Sequence, residues 1–503
     1  MSPASSHARF RFISPFKYLL FTLSLIFLML NLTPHPASAA SLTVNTLVDN
    51  VTNGDGFCTL REAILVANNA ATNDCGLASP TNDTITFNIG GTIYLTTSLP
   101  NFVAGAGTVT LDGGTPLEGG NNIAISGDNN NDTIGDVRIL LIDSGATVTL
   151  QNLMIRDGKA DTLFLGLLIG GGVINQGTLN TVNVNFQKNR ADYGGAIYSE
   201  GMANLTRTVF TQNNADISGG AIDNVGTLVT TQVSFFSNAA TDVGGGILNF
   251  GNLSVMKTAF FDSLANNGAA IYNDNTALIA DSYFNNDIAF ARGGGIYNAN
   301  GTLTITRTTF SGEHANGSPE GGGCLANFAT LVVTNSTFSY CQTTGEGGGL
   351  YNANQATITN STFSENAATL GGGGIFNVMP LTLTNTIIGN SGGGSDCWDT
   401  SFAVTGQNNL IESNIDTCGL IPGSNGNLIG YDPLLGPLDY SGKLVYPLLP
   451  GSPAIDAGDN AQCPATDERG FPRPQDGNGD GNSVCDIGAY EFLVQIFIPL
   501  INR

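Results

Sequence analysis

Positive charge is scarce in this chain. Lysine and arginine number 17 among 503 residues, against 40 acidic residues, for a formal net charge of −23. No basic stripe exists that could displace counterions from phosphates, so nucleic acid is excluded as a partner. The acidity leaves room for divalent cations and neutral sugars. Charge of either sign is sparse, at 11% of residues. A soluble helical protein spends far more Glu, Lys and Arg on its outer faces; here Ser, Thr, Asn and Gly carry the polarity, which reads as β-rich and extracellular. The three histidines (His7, His35, His314) form no cluster and no Cys-x-x-Cys occurs, so a zinc site is not supported. No Pro- or Ser-rich linker divides the chain, and no run after the N-terminal segment is long enough to span a membrane.

The first 39 residues read as an export signal. Arg9, Arg11 and Lys17 form the positive region, an apolar run follows from Tyr18 to Leu30, and Ala37-Ser38-Ala39 offers small residues for cleavage. Eight cysteines follow: Cys58, Cys75, Cys324, Cys341, Cys397, Cys418, Cys463 and Cys485. An even count in an exported chain points to disulfides. The cysteines fall in four local pairs, and local pairing is the expectation, although spacing alone does not fix connectivity.

The strongest signal is an internal repeat. Gly194-Gly195-Ala196-Ile197-Tyr198-Ser199 recurs as Gly219-Gly220-Ala221-Ile222-Asp223-Asn224, Gly244-Gly245-Gly246-Ile247-Leu248-Asn249 and Gly293-Gly294-Gly295-Ile296-Tyr297-Asn298. The terminal Asn or Ser falls at 175, 199, 224, 249, 273, 298, 327, 352 and 377. In phase with it run Phe186, Phe210, Phe235, Phe260, Phe284, Phe310, Phe338 and Phe363, and between the two motifs lie alternating stretches such as Thr302-Leu303-Thr304-Ile305-Thr306. A period near 25 residues with β-branched strands and frequent glycine does not fit a helical repeat. It fits an all-β, single-stranded right-handed parallel β-helix, each coil stacked on the last at about 4.8 Å. Phe, Ile and Leu would line the interior, and the Asn column would form an amide ladder. Gly177, Gly201, Gly226 and Gly251, with Asn275, Asn300 and Asn354 in later coils, are expected to occupy a left-handed turn.

Solenoid ends need caps. Cys58-Thr59-Leu60-Arg61-Glu62-Ala63-Ile64 has the spacing of a capping box and predicts a short helix, with Leu60, Ala63, Ile64 and Ala67 on one face and Cys58 bridging to Cys75. Arg61 and Glu62 read as a salt-bridged cap. The far end is Pro- and Asp-rich from Gly451 to Phe492. Within it, Asp476, Asn478 and Asp480 closed by Gly481 resemble the first half of a calcium loop, with Asp486 as the nearest further ligand; the competing reading is a polar turn. The expected organisation is a signal peptide (1–39), an N-terminal cap (40–80), a β-helix (81–440) and a C-terminal cap with a possible sorting tail (441–503).

The Cys58-to-Ile64 stretch resembles the CSLREA segment of bacterial exported proteins, with Thr59 in place of the usual Ser. The stretch from Gly451 to Phe492 resembles the end of choice-of-anchor Q domain-containing proteins, in its Ser-Pro-Ala-Ile-Asp-Ala-Gly and Asp-Ile-Gly-Ala-Tyr-Glu. The Gly-Gly-Ala-Ile and Phe-x-x-Asn repeats resemble those of chlamydial polymorphic outer membrane proteins. These resemblances imply a pectate-lyase-like β-helix, export and surface attachment. They imply no reaction.

Cleavage of polysaccharide and adhesion make different demands on the residues. A polygalacturonase-like site would need clustered Asp and a Gly-His-Gly segment, whereas His314 stands in Glu313-His314-Ala315. A lyase-like site needs calcium carboxylates and a basic residue, and basic residues are sparse in the coils. Asp192, Asp216 and Asp242 precede the glycines of successive coils, as Glu320 and Glu346 do later. In register they would form a carboxylate column able to hold calcium or line a glycan-binding rim; the plainer reading is a solvated edge. Tyr198, Tyr272, Tyr297 and Tyr351 share an outward position that could grip sugar rings or shield the sheet. The resulting expectation is a non-catalytic secreted or cell-surface protein, an adhesin or scaffold meeting polysaccharide or a host or neighbouring cell surface. A glycan-binding module or a polysaccharide lyase or hydrolase are the alternatives.

Overall fold

The structure is a computed structural model that describes residues 40–69, 74–77, 82–114, 123–130, 132, 135–164, 166–401, 403–439 and 443–493. Residues 1–39, read above as an export signal, and the apolar tail 494–503 lie outside the described residues. Alternation of apolar and polar residues over three to five positions gives short strands, and glycine or a left-handed residue ends each one. The result is a right-handed parallel β-helix of about 13 turns. One coil shows the plan. Thr227–Thr231 lies in sheet 1, Ser234–Phe236 in sheet 2, Ala239–Ala240 in sheet 4 and Ile247–Asn249 in sheet 3. Among the described residues, sheets 1 and 2 have 14 strands each, sheet 3 has 11 and sheet 4 has 8.

Corners are made by single residues with positive φ. Gln232 (56°) turns sheet 1 into sheet 2, Ser237 (51°) ends sheet 2, and Gly244 (65°) leads into sheet 3. The same three columns recur up the stack, many of them filled by non-glycine residues, where the left-handed conformation is intrinsically unfavourable and is held by the coils on either side. The glycines expected to make a left-handed turn do something else. Gly177, Gly201, Gly226 and Gly251 are absent from the positive-φ set; instead, a Cβ on Gly201 would lie 2.0 Å from the Gly177 carbonyl oxygen, and one on Gly251 would lie 1.9 Å from that of Gly226. These positions are glycine because successive coils touch there.

The interior is built as ladders. Phe186 through Phe363 form one continuous stack, with ring centroids 4.4–5.0 Å apart and planes within 14° of parallel. Every ring is buried. The predicted amide ladder is present: from Asn224 to Asn377 each Nδ2 donates to the Oδ1 of the next coil's asparagine at 2.7–2.8 Å. Buried amides are tolerated because each Nδ2 finds the next coil's Oδ1, although the Asn224 oxygen at the start of the run has no donor. A second interior column runs through Asn189, Asn213 and Asn238.

Helix α1 (Leu60–Ala67) packs beside the first strand of sheet 1 and joins the core through Leu60, Ala63, Ile64 and Ala67. Its capping box forms as read: the Glu62 N–H donates to Thr59 Oγ1 and the Thr59 N–H to Glu62 Oε2. Arg61 pairs with Asp49 and donates to the carbonyls of Thr97 and Ser98, tying the cap to the coil above it. Thr59→Ala is expected to cost about 1 kcal/mol and to raise amide exchange selectively over residues 60–68; uniform exchange across the chain would count against this local role. All four cysteine pairs are disulfide-bonded locally: Cys58–Cys75, Cys324–Cys341, Cys397–Cys418 and Cys463–Cys485.

The segment expected as an end cap is a lateral strap. Residues 443–492 turn back along the outer face of sheet 2. Thr309 donates to the Leu444 carbonyl, Asn335 to the Thr466 carbonyl, Thr337 to Glu468 and Asn408 to the Ala457 carbonyl. Under the strap the outward residues of sheet 2 become buried: Asn185 and Gln187 are half-exposed, whereas Thr337, Ser339, Thr362 and Ser364 are not. Ile387 and Leu410 pack there against Leu448, Ala454 and Ile487 in a second, smaller core.

Candidate functional site

Four surface features carry residues that chemistry could use. The first is the outward column of sheet 3. Its register runs Tyr198, Asp223, Leu248, Tyr272, Tyr297, Ala326, Tyr351, Phe376, Trp398. Phe328 fills the gap over Ala326, so Tyr272, Tyr297, Phe328, Tyr351 and Phe376 form one file with centroids 5.2–5.8 Å apart. The four expected tyrosines do share the column, but Tyr198 is separated from the rest by Asp223 and Leu248. The rings pack largely on one another, so few ring faces are free to stack on a sugar. Tyr351 and Phe376 are only 5% and 6% exposed, while Trp398 at the end is 40% exposed. Burial pushes the Tyr272 and Tyr351 phenols up to about 12.

The second feature is the acidic edge. The direct stack expected of Asp192, Asp216 and Asp242 is not formed. Ala191 pairs with Ala215 but Tyr193 pairs with Ser218, so the second strand carries an extra residue, and Ser218 in turn aligns with Val243. That register sets Ile217, not Asp216, between Asp192 and Asp242. Asp216 instead takes the Arg190 guanidinium at 2.7 Å. Further along, Glu320 and Glu346 are bridge partners, and Arg292 pairs with Glu320 while lying 5.5 Å from the Phe328 ring centre.

The third is a hollow of about 630 Å³ over the last coils, where the repeat gives way to Ser391-Gly392-Gly393-Gly394-Ser395-Asp396. Three carboxylates line it, each oriented by a donor. Asp396 receives the Ser413 N–H at 2.6 Å, Glu412 the Asn390 N–H at 2.5 Å, and Glu365 the Tyr446 hydroxyl at 2.6 Å. Tyr446 belongs to the strap, so the donor that orients Glu365 comes from the far end of the sequence. Such a hollow can accept hydrogen bonds from hydroxyl groups. Sequence reading missed it because Glu365 and Asn390 stand in the variable corner column after sheet 2, while Asp396 and Glu412 fall where the repeat has ended; the glycine-serine run was the available signal.

The fourth is the loop holding Asp476, Asn478 and Asp480. Asp476 accepts the N–H groups of Gly479, Asp480 and Gly481, and Asn478 that of Asp480, while Asp456 caps Gly477 and Asn478 from outside. Asp486 serves a different neighbourhood: it is buried and takes the Asp456 and Phe492 N–H groups. Burial, then the Glu491 charge, pushes its carboxyl up to about 7. Among the described residues, no group of three or more His, Cys, Asp or Glu is set to hold a metal ion.

A family model described as a right handed beta helix region matches residues 245–414 of this chain. No curated protein matches. Among solved structures, the chain is similar to the crystal structure of pectate lyase Pel9A at 12% identity, covering 91% of this chain and 98% of that one with a TM-score of 0.29. A similarity that distant carries no site residue across.

Proposed function

We propose that the chain is an exported, cell-surface β-helix that works as a non-catalytic adhesin or scaffold. The observation that supports this is the joining of the coils from Phe186 to Asn377 by the phenylalanine stack and the amide ladders, with four local disulfides and a strap over the later coils. A rod so tied suits an oxidising exterior, where disulfides persist. Among the described residues no helix is long and apolar enough to cross a membrane. The export-signal pattern of residues 1–39, together with the likeness of Cys58–Ile64 and Gly451–Phe492 to CSLREA and choice-of-anchor Q proteins, supports the same address. A second reading, glycan binding, is favoured by the oriented carboxylates of the Glu365–Asp396–Glu412 hollow. Calcium belongs to this reading as a ligand of the Asp476–Asp480 loop, whose side-chain oxygens already face inward on backbone amides.

Residues 40–503 should be screened on glycan and polysaccharide arrays, with calcium and with chelator, scoring binding and the release of unsaturated or reducing ends. The expected result is no release of ends. Binding without cleavage, weakened at least tenfold by Glu412→Gln, would establish the glycan-binding reading. Adhesion to cells without array binding would leave the scaffold reading standing, and cleavage would overturn both.

A further inference from the structure

The second interior column follows a rule. Asn213, Asn238 and Asn366 each accept, through Oδ1, the N–H of the column residue one coil earlier, and donate, through Nδ2, to the carbonyl of the preceding coil's phenylalanine. Asn213 receives Asn189 N–H at 3.0 Å and donates to Phe186 O at 3.0 Å; Asn238 and Asn366 donate likewise to Phe210 O and Phe338 O. Three residues after Phe284 and Phe310 the column holds Asp287 and Glu313 instead, both wholly buried. Each keeps the accepting half of the rule: Asp287 Oδ1 takes the Ser263 N–H at 2.7 Å and Glu313 Oε2 takes the Asp287 N–H at 3.0 Å. The other oxygens, Asp287 Oδ2 and Glu313 Oε1, have no partner. By the rule they occupy the place from which an amide would donate to a phenylalanine carbonyl. An ionised oxygen there would set lone pair against lone pair, with no cation in the column to offset it.

We propose that Asp287 and Glu313 are held as neutral carboxylic acids, each hydroxyl replacing an asparagine NH₂, and that this makes the middle of the solenoid sensitive to pH. Ser263 lies before the pair and the disulfide-bonded Cys341 after it. The charge that reaches both acids is Asp262, which is negative and opposes ionisation. His314, next in sequence, is turned outward to Asn316. Burial first, then neighbouring negative charge, raises both carboxyls, Asp287 to about 8. The folded chain therefore keeps protons that the unfolded chain releases above the ordinary carboxylate pKa near 4. The stabilisation is full below that pH and is lost as pH rises through about 8.

Melting temperature should be followed from pH 4.5 to 8.5 for the parent and for Asp287→Asn/Glu313→Gln. Asp223, Glu468 and Asp486 are also raised by burial but stay in both proteins, so the difference isolates the pair. The parent should lose stability more steeply than the variant as pH rises, and its infrared spectrum at pH 7 should contain a protonated-carboxyl band that the substitutions remove. Should the double variant fail to fold, Asp287→Asn, which restores the residue found at 213 and 238, and the parent's spectrum still decide. Parallel pH profiles, or no band lost on substitution, would overturn the proposal.

Discussion

Phe260→Ala is expected to lower unfolding free energy by about 3–5 kcal/mol. The ring is fully buried and lies 4.6 Å from Phe235 and 4.7 Å from Phe284. Removing it leaves a void bounded by two parallel rings that the strand hydrogen bonds hold at fixed spacing. Neither ring can close the gap without shifting its own strand, so the cavity persists and the dispersion attraction on both faces is not recovered. Its neighbour Phe261 points outward and is half-exposed; Phe261→Ala should cost well under half as much. Denaturant unfolding of the two variants checks the contrast, and equal losses would mean that the stack is not what holds the coils.

A single added methyl should be almost as damaging at Gly226. A Cβ there would sit 2.1 Å from the Gly201 carbonyl oxygen and 2.3 Å from that of Glu200. Both obstacles are backbone in the adjacent coil, so relief requires moving one registered strand away from another. Gly226→Ala is expected to cost about 1–3 kcal/mol or more, with the loss shared by the coils above and below. Gly392 is the control: the nearest atom to its Cβ is an Ala367 methyl at 3.5 Å, and its φ lies outside the left-handed range. Gly392→Ala should unfold at the parent's midpoint, and a Gly226 variant that did the same would refute the close-contact explanation.

These residues also show where sequence is readable. The coil length, the phenylalanine column, the asparagine ladder and the Thr59–Glu62 box are legible because each repeats at a fixed step or within one turn of chain. A periodic pattern can show that Gly226 is constrained, yet not whether the constraint is torsional or spatial; only the facing carbonyl of Gly201 decides that. Asp216 looks equivalent to Asp192 because both precede glycines at similar distance, but pairing is set by hydrogen bonds, and one inserted residue shifts the column. The strap is the least visible. Its hydrogen bonds join residues distant in sequence: 49 positions separate Asn408 from Ala457, and 131 separate Asn335 from Thr466. The trace left in the sequence is a pair such as Ile387-Ile388, apolar on both faces where alternation would place a polar residue.

The strap also bears on how such a chain can change length. Where coils touch only their neighbours, a duplicated or deleted stretch of one period leaves every junction intact, and the stack grows or shrinks by one storey. Coils between Thr178 and Met256 meet that condition. Coils from Thr309 to Asn408 do not, because Leu444, Thr466, Glu468 and Ala457 are fitted to particular storeys. A gain or loss there would leave the strap one storey out of step along its whole length. Relatives of differing size should therefore vary in the early and middle coils and keep the number beneath the strap constant.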